Sequence, residues 1–238
     1  QANAVIQSIL PQKLAEKFRQ LAQKGLGQDI DLETGMMLIM EFGYPNSDSE
    51  EFRQKLDELA QNFADILNPE AEPPEIVAAF THFLFQQKGF KGNKDDYQNP
   101  DNSFLNKVLD NQTGLPITLS AICVLLAKRL HLPIVGVGMP GHYIVKYSLP
   151  IEPIYFDPFH QGRLLTKKEC IQIVEQFGHS FEEHFLSQAT QRETLIRMLN
   201  NLIQVYKKSN ETKKAETLTK YIKILLNPSK DQQSERIH

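Results

Sequence analysis

The chain has 238 residues, 41% hydrophobic and 23% charged, with 26 Lys and Arg against 29 Asp and Glu for a formal net charge of -3. That is enough chain to bury a core without external staples, as one large domain or two or three packed subdomains. The slightly acidic balance gives no basic footprint for nucleic acid and no attraction to an anionic membrane surface, and no apolar run approaches the roughly 18 residues of a membrane span.

In chain order, residues 11 to 87 read as successive helices, because apolar residues recur at three- and four-residue intervals and the interruptions carry turn chemistry. The first runs from about Pro11 to Lys24, with Leu14, Phe18, Leu21 and Ala22 on one face. Asp31 is the N-cap candidate for a helix through Met36 to Phe42 that stops at Gly43-Tyr44-Pro45-Asn46. Ser47 or Ser49 caps a third, with Phe52, Leu56, Leu59, Ala60, Phe63 and Leu67 as its stripe before Asn68-Pro69. Pro73-Pro74 opens a fourth, Glu75 to Gln87.

Turn formers around Phe90-Lys91-Gly92-Asn93 and Tyr97 to Asn102 predict ordered loops beside a short helix from Ser103 to Asp110. Thr113-Gly114-Leu115-Pro116 then opens a strongly apolar helix to about Leu130, with proline in the first turn where a missing N–H costs least. Ile134 to Met139, Tyr143 to Tyr147 and Ile154 to Asp157 read as three strands. A helix followed by antiparallel-looking strands makes the fold class α+β. Helices return from Thr166. The last two, Thr190 to Lys208 and Glu211 to Leu226, form an antiparallel pair about Ser209-Asn210, with Leu195, Leu199, Leu202 and Tyr206 facing Ala215, Leu218, Ile222 and Leu225. The expected organisation is an N-terminal helical region at 1–88, a core at 89–165, a C-terminal helical region at 166–228 and a disordered tail at 229–238.

The start of the chain lacks the charged n-region, apolar run and cleavage site of a secretory leader, and its first residue suggests prior trimming. Cys123 and Cys170 share no metal-ligand spacing, so a soluble, cytoplasmic protein with reduced thiols is expected.

The stretch Gly114-Leu115-Pro116-Ile117-Thr118-Leu119-Ser120, then Gly141-His142-Tyr143, then Tyr155-Phe156-Asp157-Pro158, resembles the transglutaminase-like superfamily. In that superfamily a cysteine opens a helix, a histidine lies on a following strand and an aspartate on the next. The resemblance implies a papain-like helix-plus-antiparallel-sheet core. More closely, the chain resembles the SirB family through Phe90-Lys91-Gly92-Asn93, Asn102-Ser103-Phe104-Leu105-Asn106, Gly136-Val137-Gly138-Met139-Pro140-Gly141-His142 and Phe156-Asp157-Pro158-Phe159. That likeness spans about residues 30 to 228 and implies a tetratricopeptide-like C-terminal pair. His131 departs from it, standing where glycine is expected before Leu132-Pro133.

A helix N-terminus and a neighbouring imidazolium lower a thiol's pKa, while an aspartate orients the histidine. In active members of the superfamily a Gly-x-Cys pattern starts the helix, and counting back from Leu132-Pro133 puts that cysteine at Pro116 or within a residue of it; proline offers no nucleophile. Ser120 and Cys123 share its helix face but lie about 6 and 10 Å deeper, where the helix-terminus field has faded. Cys123 among Ile122, Val124 and Leu125 reads as an inert core thiol. Thr118 and Ser120 are better-placed hydroxyls that ordinarily satisfy backbone groups near a helix start. His142 and Asp157 read either as a structural hydrogen-bonded pair or as a binding or catalytic one. His142, Asp157 and His160 could converge, but no paired-ligand spacing on one element supports a metal site, so neither metal nor cofactor is expected.

Three functions compete. The first is a non-catalytic protein-interaction or assembly factor, binding another protein around Pro116, Gly141, His142, Tyr143 and Asp157 or through the C-terminal pair. The second is a cryptic hydrolase or acyl-transferase using Thr118 or Ser120 with His142 and Asp157. The third is a purely structural scaffold, in which removing the His142 side chain lowers stability and nothing else.

Overall fold

The computed structural model describes residues 2–25 and 27–227. The tail expected to be disordered, 229–238, lies outside the described residues. The described residues of 1–47 and 190–238 gather into one compact unit and 48–189 into another. This grouping differs from the order of regions along the chain: the helices between residues 49 and 87 join the central sheet, while the first two helices join the last two.

The discontinuous unit contains α1 (Ala2–Lys24), α2 (Leu32–Gly43) and, from the far end of the chain, two long helices described with their turn below. Asp31 caps α2 as expected, its Oδ1 accepting from Thr34 N at 2.8 Å. Pro11 is accommodated inside α1, which therefore begins earlier than the sequence suggests.

In the continuous unit the chain passes through α3 (Ser49–Ala64) and α4 (Pro73–Thr81), which continues as a π-helical turn, His82–Gln87. The cap of α3 is Asp48, not either serine. Strand β1 (Lys91–Gly92) is followed by a 3-10 turn (Pro100–Ser103), α5 (Leu105–Asn111), β2 (Thr113–Gly114) and α6 (Pro116–Arg129). Then come β3 (Ile134–Val137), β4 (Ile144–Tyr147), β5 (Ile154–Asp157), a 3-10 turn (Pro158–His160), β6 (Arg163–Leu165) and α7 (Lys167–Gln176). A last 3-10 turn, Glu183–Leu186, precedes the return to the first unit, where α8 (Gln191–Lys208) and α9 (Thr212–Leu226) complete the helices.

Strands β3 to β6 form an antiparallel sheet in sequence order, and β1 pairs with β2 in parallel. The three strands read from the sequence are present, each within a residue or two of its expected ends. Strand β6 and the β1–β2 pair were not read, because two or three residues carry no alternation to detect. On one sheet face Val137, Ile144, Tyr155 and Leu165 pack with Cys170 and Val174 of α7. On the other, Phe156 meets Phe80 of α4, which meets Phe63 of α3, with ring centroids 6.3 and 5.3 Å apart. That aromatic chain is why α3 and α4 belong with the sheet.

Helix α6 is almost entirely buried and packs on β3 and β4. Its C-terminus explains the departure at His131. Leu132 N donates to Ala127 O at 2.9 Å and His131 N to Lys128 O at 3.5 Å, a Schellman closure with His131 in the left-handed region at φ 54°. That geometry favours glycine, so a histidine there strains the turn and leaves the strands in place.

In the other unit the α8–α9 hairpin turns at Ser209-Asn210, with Asn210 at φ 61°. Leu195, Leu199, Leu202 and Tyr206 are buried opposite Ala215, Leu218 and Leu225. Ile222, expected in this interface, is only half-buried, whereas Tyr221 and Ile224 are buried. The outer face of the hairpin is covered within the same unit: Tyr221 stacks on Phe18 of α1 at 4.6 Å, and Phe42 of α2 meets both Tyr206 and Tyr221.

Candidate functional site

Asp157 ends β5 and caps the 3-10 turn behind it. Its Oδ1 accepts from the backbone N–H groups of Phe159 (3.0 Å) and His160 (3.3 Å), leaving Oδ2 for the site. That Oδ2 lies 2.7 Å from Nε2 of His142 and 2.8 Å from Nδ1 of His160. Burial of the carboxyl, 1% exposed, opposes ionisation. Hydrogen bonds and attraction from His142 and then His160 outweigh it and hold Asp157 below the ordinary carboxylate range. An ionised carboxylate only accepts, so both facing ring nitrogens carry protons and donate to Oδ2.

His142 stands just before β4 and is 8% exposed, whereas the side chain of His160 keeps 44% of its surface. Phe159 stands edge-on to both imidazoles, with centroids 6.4 Å from His142 and 5.3 Å from His160. The ring of Phe159 also leans on Gly92, where an added Cβ would come within 2.4 Å of it. A side chain at residue 92 would push the turn carrying His160 out of line. A cleft of about 500 Å³ opens here, lined by Lys91, Asn93, Lys94, Asp95, His160 and Gln161 among others.

The loops named in the sequence build the wall of this cleft. Asn93 N donates to Gly114 O at 3.1 Å and its Nδ2 to Asn102 Oδ1 at 2.9 Å, while Leu115 N donates to Asn102 O at 3.3 Å. The two asparagines thereby tie the Lys91–Asn93 segment to the start of α6, and α6 in turn packs on the 3-10 turn of His160.

Pro116 is the first residue of α6 and is buried, with Leu115 as a cap that offers no side-chain acceptor. Thr118 and Ser120 are 0% exposed, and among the described residues their hydroxyls have no hydrogen-bond partner. They do not cap the backbone as expected, and they are sealed from solvent. Gly141 takes φ 75° against the ring of Phe177. Tyr143 is buried at 2%, its hydroxyl tucked over Gly136. Cys123 is a core thiol as anticipated, and burial pushes its pKa well up.

His160 is the residue the sequence undervalued. The signal was Asp157-Pro158-Phe159-His160: proline after a capping aspartate starts a 3-10 turn, whose three residues per turn bring positions i and i+3 together. The expectation that no single element supplies two converging groups is therefore corrected.

A buried aspartate thus orients a histidine just before a strand, and the turn behind the aspartate packs on helix α6. The sequence pattern of the transglutaminase-like superfamily matches residues 50–200. The chain belongs to the transglutaminase-like superfamily. A UPF0162 protein of Xylella fastidiosa is 33% identical over 198 residues, covering 79% of this chain and 69% of that protein; in a second strain the identity is 33%, with 66% of that protein covered. The UPF0162 protein of Pseudomonas aeruginosa is 28% identical over 161 residues, 66% of this chain and 58% of that protein. Human F-box only protein 21 is 30% identical over 142 residues, 56% of this chain and 22% of that protein. The chain thus spans about two thirds or less of these relatives. No solved structure matches. The transglutaminase-like match covers most of the continuous unit, including every strand, and extends into α8. Among the described residues no helix is long and apolar enough to cross a membrane.

Proposed function

We propose that this is a non-catalytic transglutaminase-like protein of the SirB kind, acting in the cytoplasm as a protein-interaction or assembly factor through the cleft beside His142, Asp157 and His160. The observation that carries the reading is Pro116 at the first position of α6, a helix that packs on the turn capped by Asp157, with the His142–Asp157 hydrogen bond present. Acyl transfer through a covalent intermediate needs a nucleophile at that helix start, and proline supplies none. The alternative, a hydrolase using Thr118 or Ser120, is disfavoured by their complete burial, since a substrate carbonyl must reach the attacking oxygen.

The cleft suits a polar segment of a partner better than a greasy one. Lys91, Asn93, Lys94 and Asp95 offer charges and hydrogen bonds around one aromatic ring, Phe159. In F-box only protein 21 the matched region is about a fifth of the chain, which supports a module used as part of something larger. The α8–α9 hairpin, the expected tetratricopeptide-like pair, packs Tyr221 against Phe18 of α1 and Phe42 of α2, so the cleft is the stronger surface.

Two measurements on the full chain test this. Peptide-display selection on immobilised protein is expected to return sequences whose binding is lost when Lys91 and Lys94 are both changed to Glu. Hydrolysis of activated esters and amine incorporation into glutamine peptides are expected to be unaltered by His142→Ala. Turnover that vanishes with either His142→Ala or Ser120→Ala would overturn the non-catalytic reading, and selected peptides indifferent to the lysine changes would remove the cleft from it.

A further inference from the structure

The cluster that reaches the cleft through His160 has a second chemical capacity. Nε2 of His142, a carboxylate oxygen of Asp157 and Nδ1 of His160 all lie within 4.8 Å of one another. Both imidazole nitrogens aim at the same oxygen, so their lone pairs converge on one small volume once the protons between them are gone. We propose that His142, Asp157 and His160 form a binding site for a first-row divalent cation of the zinc, cobalt, nickel or ferrous class, its remaining coordination positions open to the cleft.

Three features support this beyond proximity. The first is the donor set: two imidazoles and one carboxylate suit those ions, whereas calcium and magnesium prefer all-oxygen sites. Next, the carboxylate is already fixed, because Oδ1 is held by the N–H groups of Phe159 and His160, the kind of outer hydrogen bond that orients metal ligands. Third, two ligands are buried and the other is half exposed beside a cleft of about 500 Å³, which leaves an entry path and room for an exogenous ligand.

Binding requires the three donors to rearrange about a common centre. With metal–nitrogen and metal–oxygen bonds near 2.1 Å, neighbouring donors sit about 3.0 Å apart on an octahedral ion and about 3.4 Å on a tetrahedral one. The N–O separations of 2.7 and 2.8 Å must therefore open by a few tenths of an ångström, and the two ring nitrogens, within 4.8 Å of each other, must come to the same spacing, a shift that the half-exposed turn of His160 can supply. On binding, each facing nitrogen gives its proton to solvent or to the other nitrogen of its ring and becomes a ligand; no redox change is involved. Lys91 and Lys94 line the same cleft and oppose a bare cation, with Asp95 partly offsetting them. They favour an anionic group on the open positions.

This inference does not rest on the protein-partner reading, since it is measured with no partner present. Full-length protein stripped with chelator is titrated with Co²⁺, followed by its visible spectrum, and with Zn²⁺ by calorimetry, with Ca²⁺ as control. One Co²⁺ per chain and no Ca²⁺ binding are expected. His160→Ala should weaken Zn²⁺ binding at least tenfold, and His184→Ala, on a surface ring beside Glu182, should leave it unchanged. Histidine ring resonances in proton NMR provide a readout that needs no variant: two rings should shift on Zn²⁺ addition. Absence of saturable binding, wild-type affinity in His160→Ala, or equal loss in both variants would overturn the site.

Discussion

At the scale of single residues, Asp157 carries more than any other side chain of the site. It caps a turn with one oxygen and gathers two imidazoles with the other, so its ionised form is built into the folded state. A carboxyl whose pKa is depressed by folding stabilises the fold fully above the unfolded value, and that contribution is lost as pH falls through the folded one. Asp157→Asn should cost about 1–3 kcal/mol near neutrality. Denaturant titrations of both proteins should show the gap constant above about pH 4 and shrinking below it. A gap that persists undiminished at lower pH would mean the aspartate's charge is not what holds the site. His131 supplies the opposite case, a residue paying for a left-handed backbone with no site contact in return. His131→Gly should raise stability by about 0.5–1 kcal/mol in urea denaturation, with the strands and cleft unaltered.

At the scale of elements, local chemistry decided most boundaries and tertiary contacts decided the rest. Thr166 and Glu169 form a capping box at the start of α7, with Thr166 Oγ1 accepting from Glu169 N at 3.2 Å and Glu169 Oε2 accepting from Thr166 N at 2.8 Å. Thr166→Ala should cost about 1 kcal/mol, and amide exchange should speed up in the first turn of α7 before it does in β4. Where the sequence placed a serine cap on α3, Asp48 took the position, because an ionised acceptor at the helix N-terminus adds a charge term to the same hydrogen bond. The helix read as one element from Glu75 to Gln87 is α4 followed by a π-helical turn, whose widened register buries Phe83, Leu84 and Phe85 together. No three- or four-residue periodicity announces such a turn.

At the scale of the whole molecule, the continuous unit, residues 48–189, contains the sheet, α6 and every group of the cleft. Its hydrophobic contacts, Phe63–Phe80–Phe156 on one sheet face and Val137, Ile144 and Val174 on the other, are internal to it. A fragment of residues 48–189 is therefore expected to unfold cooperatively on its own, measured by circular dichroism through a thermal ramp. A broad, non-cooperative melt would show that its core is incomplete.

The sequence by itself determined the helix cap at Asp31, the three principal strands and, through the family resemblance, the pairing of His142 with Asp157. The first two are written in local patterns, a side chain that satisfies a nearby backbone donor and an alternation of burial, while the pairing is what the resemblance implies. Only the tertiary structure decided that α3 and α4 close one face of the sheet, that Thr118 and Ser120 are sealed away, and that His160 joins the pair. Those outcomes depend on which apolar faces find each other across long stretches of chain, a choice among many compatible packings. The convergence of His142, Asp157 and His160 combines both: Asp157 and His160 are brought together by a three-residue turn legible in Asp157-Pro158-Phe159-His160, and His142 reaches them only because β4 and β5 pair in register.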